Sequence, residues 1–420
     1  MRQKLVQAYQ SPFLRQNAVF FVGSMVVAAL NYLYYPVLAR LLSTEAFGEL
    51  QVLVSVVTQA AILLQVFSLV ATNIVVNEKH KDATNAVLSE LQKLSLWMGV
   101  VFAAAVAALA PVLQAALKFE SGLPFVVIGL IFLASIPPTF TGAYLRAKKD
   151  FKSASQTQAL GSVAKLVFSA ALVFIGFQAL GAVVGLLIAQ IVTAVYTAHR
   201  ARNLGYRFMK GKGRGVDISL VRPHIKYAIF VLITSLITTG MVTIDSIAVK
   251  YFLSPTEAGL YGGISTIARI IYFLTGSIGL VLLSSVKLEQ LPAKNVSLLL
   301  RSFALTLGLG GSALLVFALF PSFIIHLLMG PRYDEYAHYL PLLAAAILAI
   351  SLSQLLTQYH IALRHFVVAV PVVLGALVMA VALLVHHQSI EAIIQSLAIG
   401  SATLLGGLLL WTASRALPRA

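Results

Sequence analysis

The sequence predicts an all-α integral membrane protein of about twelve transmembrane helices in two six-helix repeats, and three observations carry that prediction. The first is composition: of 420 residues, 59% are hydrophobic and 10% charged, with a mean hydropathy of +0.92. A soluble domain of this length has no core large enough to hide so much apolar surface. The second is that the apolar residues gather in long runs, and a helix needs roughly 20 mostly apolar residues to cross about 30 Å of hydrocarbon. The third is that several landmarks recur half a chain later.

The runs lie near 18 to 42, 48 to 76, 94 to 117, 123 to 145, 156 to 177, 179 to 198, 226 to 253, 258 to 286, 298 to 327, 338 to 363, 366 to 386 and 391 to 414. Charged or turn-forming clusters separate most of them. Between the fifth and sixth only Gly176, Phe177, Gln178 and Gly181 mark a turn. No stretch shows the short apolar-polar alternation of a membrane barrel strand. The first 16 residues carry Arg2, Lys4 and Arg15 ahead of a full-length run, which reads as a cytoplasmic amphipathic lead-in rather than a removable signal peptide.

Basic residues set the expected orientation. With the N-terminus inside, 24 Lys and Arg fall on inner segments, while Arg40, Lys118, Lys250 and Arg332 are the four at outer ends. Both termini are therefore expected in the cytoplasm, in the cell (inner) membrane. The formal charge of +16 follows from this bias and from attraction to anionic membrane lipids. The basic stretch His199 to Gly215 reads as a cytoplasmic linker, so no nucleic-acid partner is expected. The domains expected are a lobe over 1–198, a linker over 199–225 and a second lobe over 226–420.

The repeat is spelled by three landmarks. Arg40-Leu-Leu-Ser-Thr-Glu-Ala follows the first run, and Lys250 to Ala258 follows the seventh, an offset of 212 from Glu45 to Glu257. Ala-Leu-Ala-Pro at 108 to 111, read as the end of the third run, matches Ala-Leu-Phe-Pro at 318 to 321, offset 210; Leu145-Arg146 matches Leu363-Arg364, offset 218. Six is even, so the two copies enter the membrane in the same sense and are related by an axis along its normal. Repeats of this kind place a site at their interface near the midplane and work by rocking one half against the other.

Polar groups inside such runs point to function, because a charge in hydrocarbon is costly unless paired or wet. Lys165 sits about ten residues into the fifth run, roughly 15 Å deep at about 1.5 Å per residue, behind Ser155, Gln156, Thr157, Gln158 and Ser162. Arg269 lies at similar depth in the eighth run, near Ser265 and Thr266, and Asp245 lies in the seventh, beside Thr243 and Ser246. Arg40 and Lys250 sit at outer ends. Asp245 and Lys250 are five apart, a poor spacing for a pair on one helix, so Asp245 is expected to face another helix; one reading has it neutralise Arg269 or Lys165 as a structural ion pair, the other leaves those cations to a ligand. Cations (Arg40, Lys165, Lys250, Arg269) outnumber Asp245 and Glu49, and a basic cavity selects anions such as phosphate or pyrophosphate.

Asn31, Tyr32, Tyr34 and Tyr35 in the first run, and Gln59, Gln65 and Asn73 in the second, offer hydrogen bonds to sugars or between helices. There is no Cys, which excludes disulfides and thiolate metal sites. The adjacent His386 and His387 do not share a helix face, so no metal site and no cofactor is expected. No G-x-x-x-x-G-K-[ST] element is present, so ATP hydrolysis is unsupported. External loops are too short for a catalytic domain, and no enzyme is expected. A non-transporting scaffold has no use for charged residues at mid-depth.

The phrase ARLLSTEAFGEL, the stretch from Asp245 through Lys250 to Tyr261, Leu145-Arg-Ala-Lys-Lys-Asp-Phe, and Pro321-Ser-Phe-Ile-Ile-His-Leu-Leu-Met-Gly resemble the Wzx-type polysaccharide flippases of the multidrug/oligosaccharidyl-lipid/polysaccharide (MOP) superfamily. The resemblance spans almost the whole chain. It implies a V-shaped, MATE-like bundle that flips an undecaprenyl-pyrophosphate-linked oligosaccharide across the cytoplasmic membrane by alternating access. By that analogy Lys165 and Arg269 hold the diphosphate, with Arg40 and Lys250 contributing. Asp245 would act as a counter-ion or as a relay for Na+ or H+. Polysaccharide polymerase machinery is the protein partner it implies. The alternatives within the superfamily are a MATE-type multidrug or cation exporter and a flippase of another lipid-linked precursor, such as lipid II. Against them, lipid II flippases usually carry two helices beyond the twelve expected here, and the exporters use acids in the first lobe where the first run here has none.

Overall fold

The computed structural model describes residues 12–76, 81–148, 150–206 and 218–416. The lead-in residues Arg2 and Lys4, Lys79, Lys149, linker residues 207–217, Arg419 and the side chain of Asn73 lie outside the described residues. Among those described, the chain is helical without strands, and ten stretches are long and apolar enough to cross a membrane. In chain order the α-helices are α1 Pro12–Leu41, α2 Thr44–Val76, α3 Lys81–Ala116, α4 Leu123–Ala147, α5 Phe151–Leu172, α6 Gln178–Asn203 and α7 Ile218–Phe252. They continue as α8 Pro255–Ala268, α9 Ile270–Ser285, α10 Pro292–Leu319, α11 Pro321–Met329, α12 Leu340–Ala362, α13 Ala369–Val385 and α14 Ile390–Ala416.

Local chemistry explains where these helices start and stop. The Ser43 hydroxyl accepts the Ala46 N–H at 3.1 Å, opening α2. Asp150 caps α5 by accepting the Ser153 N–H at 3.1 Å. Ser254 and Glu257 form a reciprocal capping box with Pro255 in the first turn of α8, which satisfies donors that a helix start otherwise leaves orphaned. The apolar stretch Lys152–Asn203 is 52 residues long, yet it is two helices: Gly176 takes φ 102° and Gln178 takes φ 45°. Positive φ is open to glycine at little steric cost, and the reversal lets α5 and α6 pack on each other. The sparse turn signal between the fifth and sixth runs thus sufficed.

One expectation about a single helix holds and one is corrected. The eighth run is one apolar stretch, Pro255–Leu283, made of α8 and α9 joined at Arg269, whose ψ is −9°. Helical bonds run on through the junction, from the Arg269 N–H to Ser265 and from the Phe273 N–H to Arg269, so the interruption is a one-residue flattening. Pro111, read as ending the third run, lies inside α3, which continues to Ala116. Its counterpart Pro321 does open a new helix, after Phe320 leaves helical geometry at φ −131°.

By packing, the chain separates into two compact units. The first comprises Met1–Leu42, Leu63–Gln114 and Glu120–Pro223; in it α6 lies against α4 and α5, and α5 against α1. Near the end of α6, Tyr206 stacks on Tyr144 with ring centroids 4.7 Å apart and accepts a hydrogen bond from Gln92; burial pushes its phenol pKa up. The second unit comprises Ser43–Ile62, Ala115–Phe119 and His224–Ala420. Its centre is α12, buried over most of its length against α8, α9, α10 and α14. The opening half of α2 therefore packs with helices far along the chain. Large side chains elsewhere, such as Trp97, Phe174 and Leu410, face outward, as lipid-contacting helices require.

Candidate functional site

In the second unit, α7 presents Asp245 and Ser246 one and two residues after Ile244, and the α8–α9 junction presents Arg269. The side chain of Asp245 has no exposed surface and that of Arg269 is 9% exposed. Arg269 Nη2 donates to Asp245 Oδ1 at 2.6 Å and to Ser246 Oγ at 2.7 Å, and its Nε donates to the Val242 carbonyl at 3.0 Å. The remaining carboxylate oxygen of Asp245 accepts from the Tyr261 hydroxyl at 2.7 Å. A buried ion pair offsets its desolvation only when its other donors and acceptors are also met, and this one meets that condition. Gln51 on α2 closes the group: its Oε1 lies 3.4 Å from Arg269 Nη1, and its Nε2 donates to Thr266 Oγ1 at 2.9 Å.

Toward the start of α8 a second set of contacts lies around Lys250, which is buried. Its Nζ is 3.9 Å from Glu49 Oε1 and 5.2 Å from the centre of the Phe119 ring. Lys118 Nζ donates to the Leu253 carbonyl at 2.7 Å, capping an orphan acceptor at the end of α7. Glu45 Oε1 accepts from Thr256 Oγ1 at 2.7 Å, which joins the two copies of the repeated phrase directly. Asp245 therefore pairs with Arg269, and Lys250 has Glu49 as its carboxylate neighbour.

In the first unit, α5 begins at Phe151, five residues before the predicted run. Lys165 is thus about 21 Å along the helix at about 1.5 Å per residue, deeper than its sequence position suggested. Its Nζ lies 4.4 Å above the Tyr34 ring and 6.0 Å from that of Tyr35, both on α1. Among the described residues no carboxylate lies within 4.0 Å of it. Aromatic faces attract a cation without cancelling its charge. One turn away on the same two helices, Asn31 Nδ2 donates to Ser162 Oγ at 2.8 Å. Gln156 accepts from the Tyr196 hydroxyl at 2.9 Å, so the polar residues leading to Lys165 are in part bonded between helices. Arg40, in the last turn of α1, is exposed.

Sequence reasoning singled out Lys165, Arg269, Arg40, Lys250 and Asp245; it missed Gln51 and Tyr261. The signal for Gln51 was present: Gln51, Ser55 and Gln59 recur every four residues in an otherwise apolar run, a polar stripe on one helix face. Gln59 Nε2 reaches Thr243 Oγ1 at 3.2 Å. Tyr261 gave no such signal, since a lone tyrosine beside glycines reads as packing. Among the described residues no cluster of His, Asp and Glu suited to a metal ion occurs, and His387 stacks on Phe252 instead, ring centroids 4.0 Å apart.

Residues 13–283, well over half of the chain, match the family described as "Polysaccharide biosynthesis protein". No curated protein matches. Among solved structures, the chain is similar to the lipid II flippase MurJ in an inward closed conformation, with TM-score 0.73 and 11% identity over 94% of this chain and 87% of that one. It is similar to an inward-facing multidrug resistance MATE family transporter of the MOP superfamily, with TM-score 0.72 and 13% identity over 94% and 98% of the two chains. A MOP superfamily transporter from Pyrococcus furiosus, whose structure is titled for the reverse polarity of its binding pocket, gives TM-score 0.59 at 13% identity over 94% of both chains. At such identities the likeness fixes the fold, and the neighbours are transporters and flippases rather than enzymes.

Proposed function

Because this chain belongs to the polysaccharide biosynthesis protein family, we propose that it flips an undecaprenyl-pyrophosphate-linked oligosaccharide from the inner to the outer leaflet of the cytoplasmic membrane by alternating access. The observation that carries this reading is Lys165. It is a lysine far along a membrane helix, held over Tyr34 with no carboxylate nearby among the described residues. A charge so placed is worth its desolvation when an anionic headgroup completes it. Arg269 has its strongest donors already engaged, so it serves the diphosphate only by competing with Asp245. Arg40 and Lys250 supply positive potential at the far ends of α1 and α7. Asp245 fits the counter-ion role better than an ion relay, because both its oxygens already accept strong bonds.

The test is ligand-induced thermal stabilisation of the purified protein, since a ligand that binds the folded state raises its midpoint by mass action. Undecaprenyl pyrophosphate is expected to raise the midpoint in a dose-dependent way, and Lys165→Gln to move that dose dependence to about 10- to 100-fold higher ligand. Stabilisation by organic cations instead, indifferent to Lys165→Gln, would overturn the reading in favour of a multidrug exporter.

A further inference from the structure

Polar side chains from three helices of the second unit meet around a bare stretch of α9. Tyr272, Gly276 and Gly279 are spaced four and three apart on that helix, so they share one face. The Tyr272 hydroxyl is within reach of the side chains of Thr239 on α7 and Gln354 on α12. One turn beyond Gln354, the Gln358 amide lies across Gly279, so closely that a Cβ there would overlap it. At Gly276, between those two levels, a Cβ would meet nothing within 4 Å. Thr239 and Tyr272 stand near the middle of their apolar stretches, Ile229–Phe252 and Pro255–Leu283, and with Gln354 and Gln358 they are half-buried. A polar side chain partly open at such depth belongs beside a water-filled cavity, because hydrocarbon offers it no partner.

We propose that this glycine-floored niche is a sugar subsite, which binds one ring of the lipid-linked oligosaccharide with Gln358 and Tyr272 as its specificity-determining residues. The inference rests on the flippase reading and adds the part of the cargo that the cations do not recognise. The set is uncharged, so it selects neither a phosphate nor a cation. Two carboxamides and a phenol present donors and acceptors side by side, and neighbouring ring hydroxyls, each a donor and an acceptor, need such pairs. Gln358 Oε1 is buried with no hydrogen-bond partner among the described residues. An unmet buried acceptor carries its full desolvation cost, and a hydroxyl entering beside Gly276, where there is room, removes it. A site built to bond hydroxyls discriminates against a ligand without them, since its own polar groups then stay unpaired.

The test titrates the purified protein with undecaprenyl pyrophosphate and with the same lipid carrying one N-acetylglucosamine or one galactose. The parent is expected to bind a sugar-bearing lipid about tenfold more tightly than the bare one, within the worth of two net hydrogen bonds. Gln358→Leu and Tyr272→Phe should each lower that preference about threefold while the bare lipid binds within about twofold of the parent. Gly276→Leu, which fills the niche, should abolish the preference. Gly308→Leu, on α10 and equally open at its Cβ, should keep it. Lys165→Gln should weaken all the lipids alike. If Gly276→Leu does not fold, Gln358→Leu and Tyr272→Phe decide alone. Equal binding of the bare and both sugar-bearing lipids by the parent, or variants that weaken bare and sugar-bearing lipids equally, would overturn the sugar subsite and leave the flippase reading standing. A parent that binds none of the lipids would overturn the flippase reading itself, and the subsite with it.

Discussion

Two cations stand deep in apolar helices, Lys165 on α5 and Arg269 between α8 and α9, and their surroundings differ in kind. Arg269 meets a carboxylate, a hydroxyl and a carbonyl at 2.6 to 3.0 Å, and Tyr261 holds that carboxylate from behind. Lys165 meets the faces of two tyrosines. The difference separates a charge that is balanced inside the fold from one that leaves a positive potential for something else to meet. Counting cations along the sequence treated the two alike.

The largest expected effect breaks the comparison on the Arg269 side. Asp245→Leu leaves a buried guanidinium without its counter-charge, which should cost about 3–5 kcal/mol of stability, seen as a large drop in the thermal midpoint in detergent. The double variant Asp245→Leu/Arg269→Met removes both charges, and much of that loss should return; no recovery would mean that the site needs the charges themselves.

The next effect sharpens the Lys165 side. Lys165→Gln should leave the midpoint of the ligand-free protein within about 1 kcal/mol of its parent, since no partner is stranded. It should weaken undecaprenyl-pyrophosphate binding about 10- to 100-fold, the worth of one charge-assisted bond, as read by ligand titration. A destabilised but normally binding variant would reverse the roles assigned to the two cations.

The smallest effect concerns the aromatic floor. Tyr34→Leu removes the ring face under Lys165 and should weaken lipid binding by about 1–2 kcal/mol, whereas Tyr34→Phe keeps the face and should bind like the parent. Equal losses in both variants would show that the hydroxyl, and not the ring, positions Lys165.

Much of this was legible in the sequence. Run length and composition gave an all-helical membrane protein, because hydrocarbon forces every spanning segment to satisfy its own backbone. The recurring phrase, Leu-Ser-Thr-Glu-Ala at 42–46 and Leu-Ser-Pro-Thr-Glu-Ala at 253–258, marked two breaks between runs. The structure shows that each opens a helix by capping, chemistry between residues three apart. The identities of the mid-depth charges followed from their rarity in such runs.

Only the tertiary structure decided which of those charges pair. Asp245 could turn to Arg269 or to Lys165, and the choice depends on how α7 is rotated against the α8–α9 junction, which no local pattern encodes. The same holds for Gln51, whose partners lie 215 and 218 residues away, and for the opening half of α2, which packs with the second unit. Capping and hydropathy act over a few residues and can be read along the chain. Ion pairing and close glycine contact act between surfaces that meet only once the helices have packed.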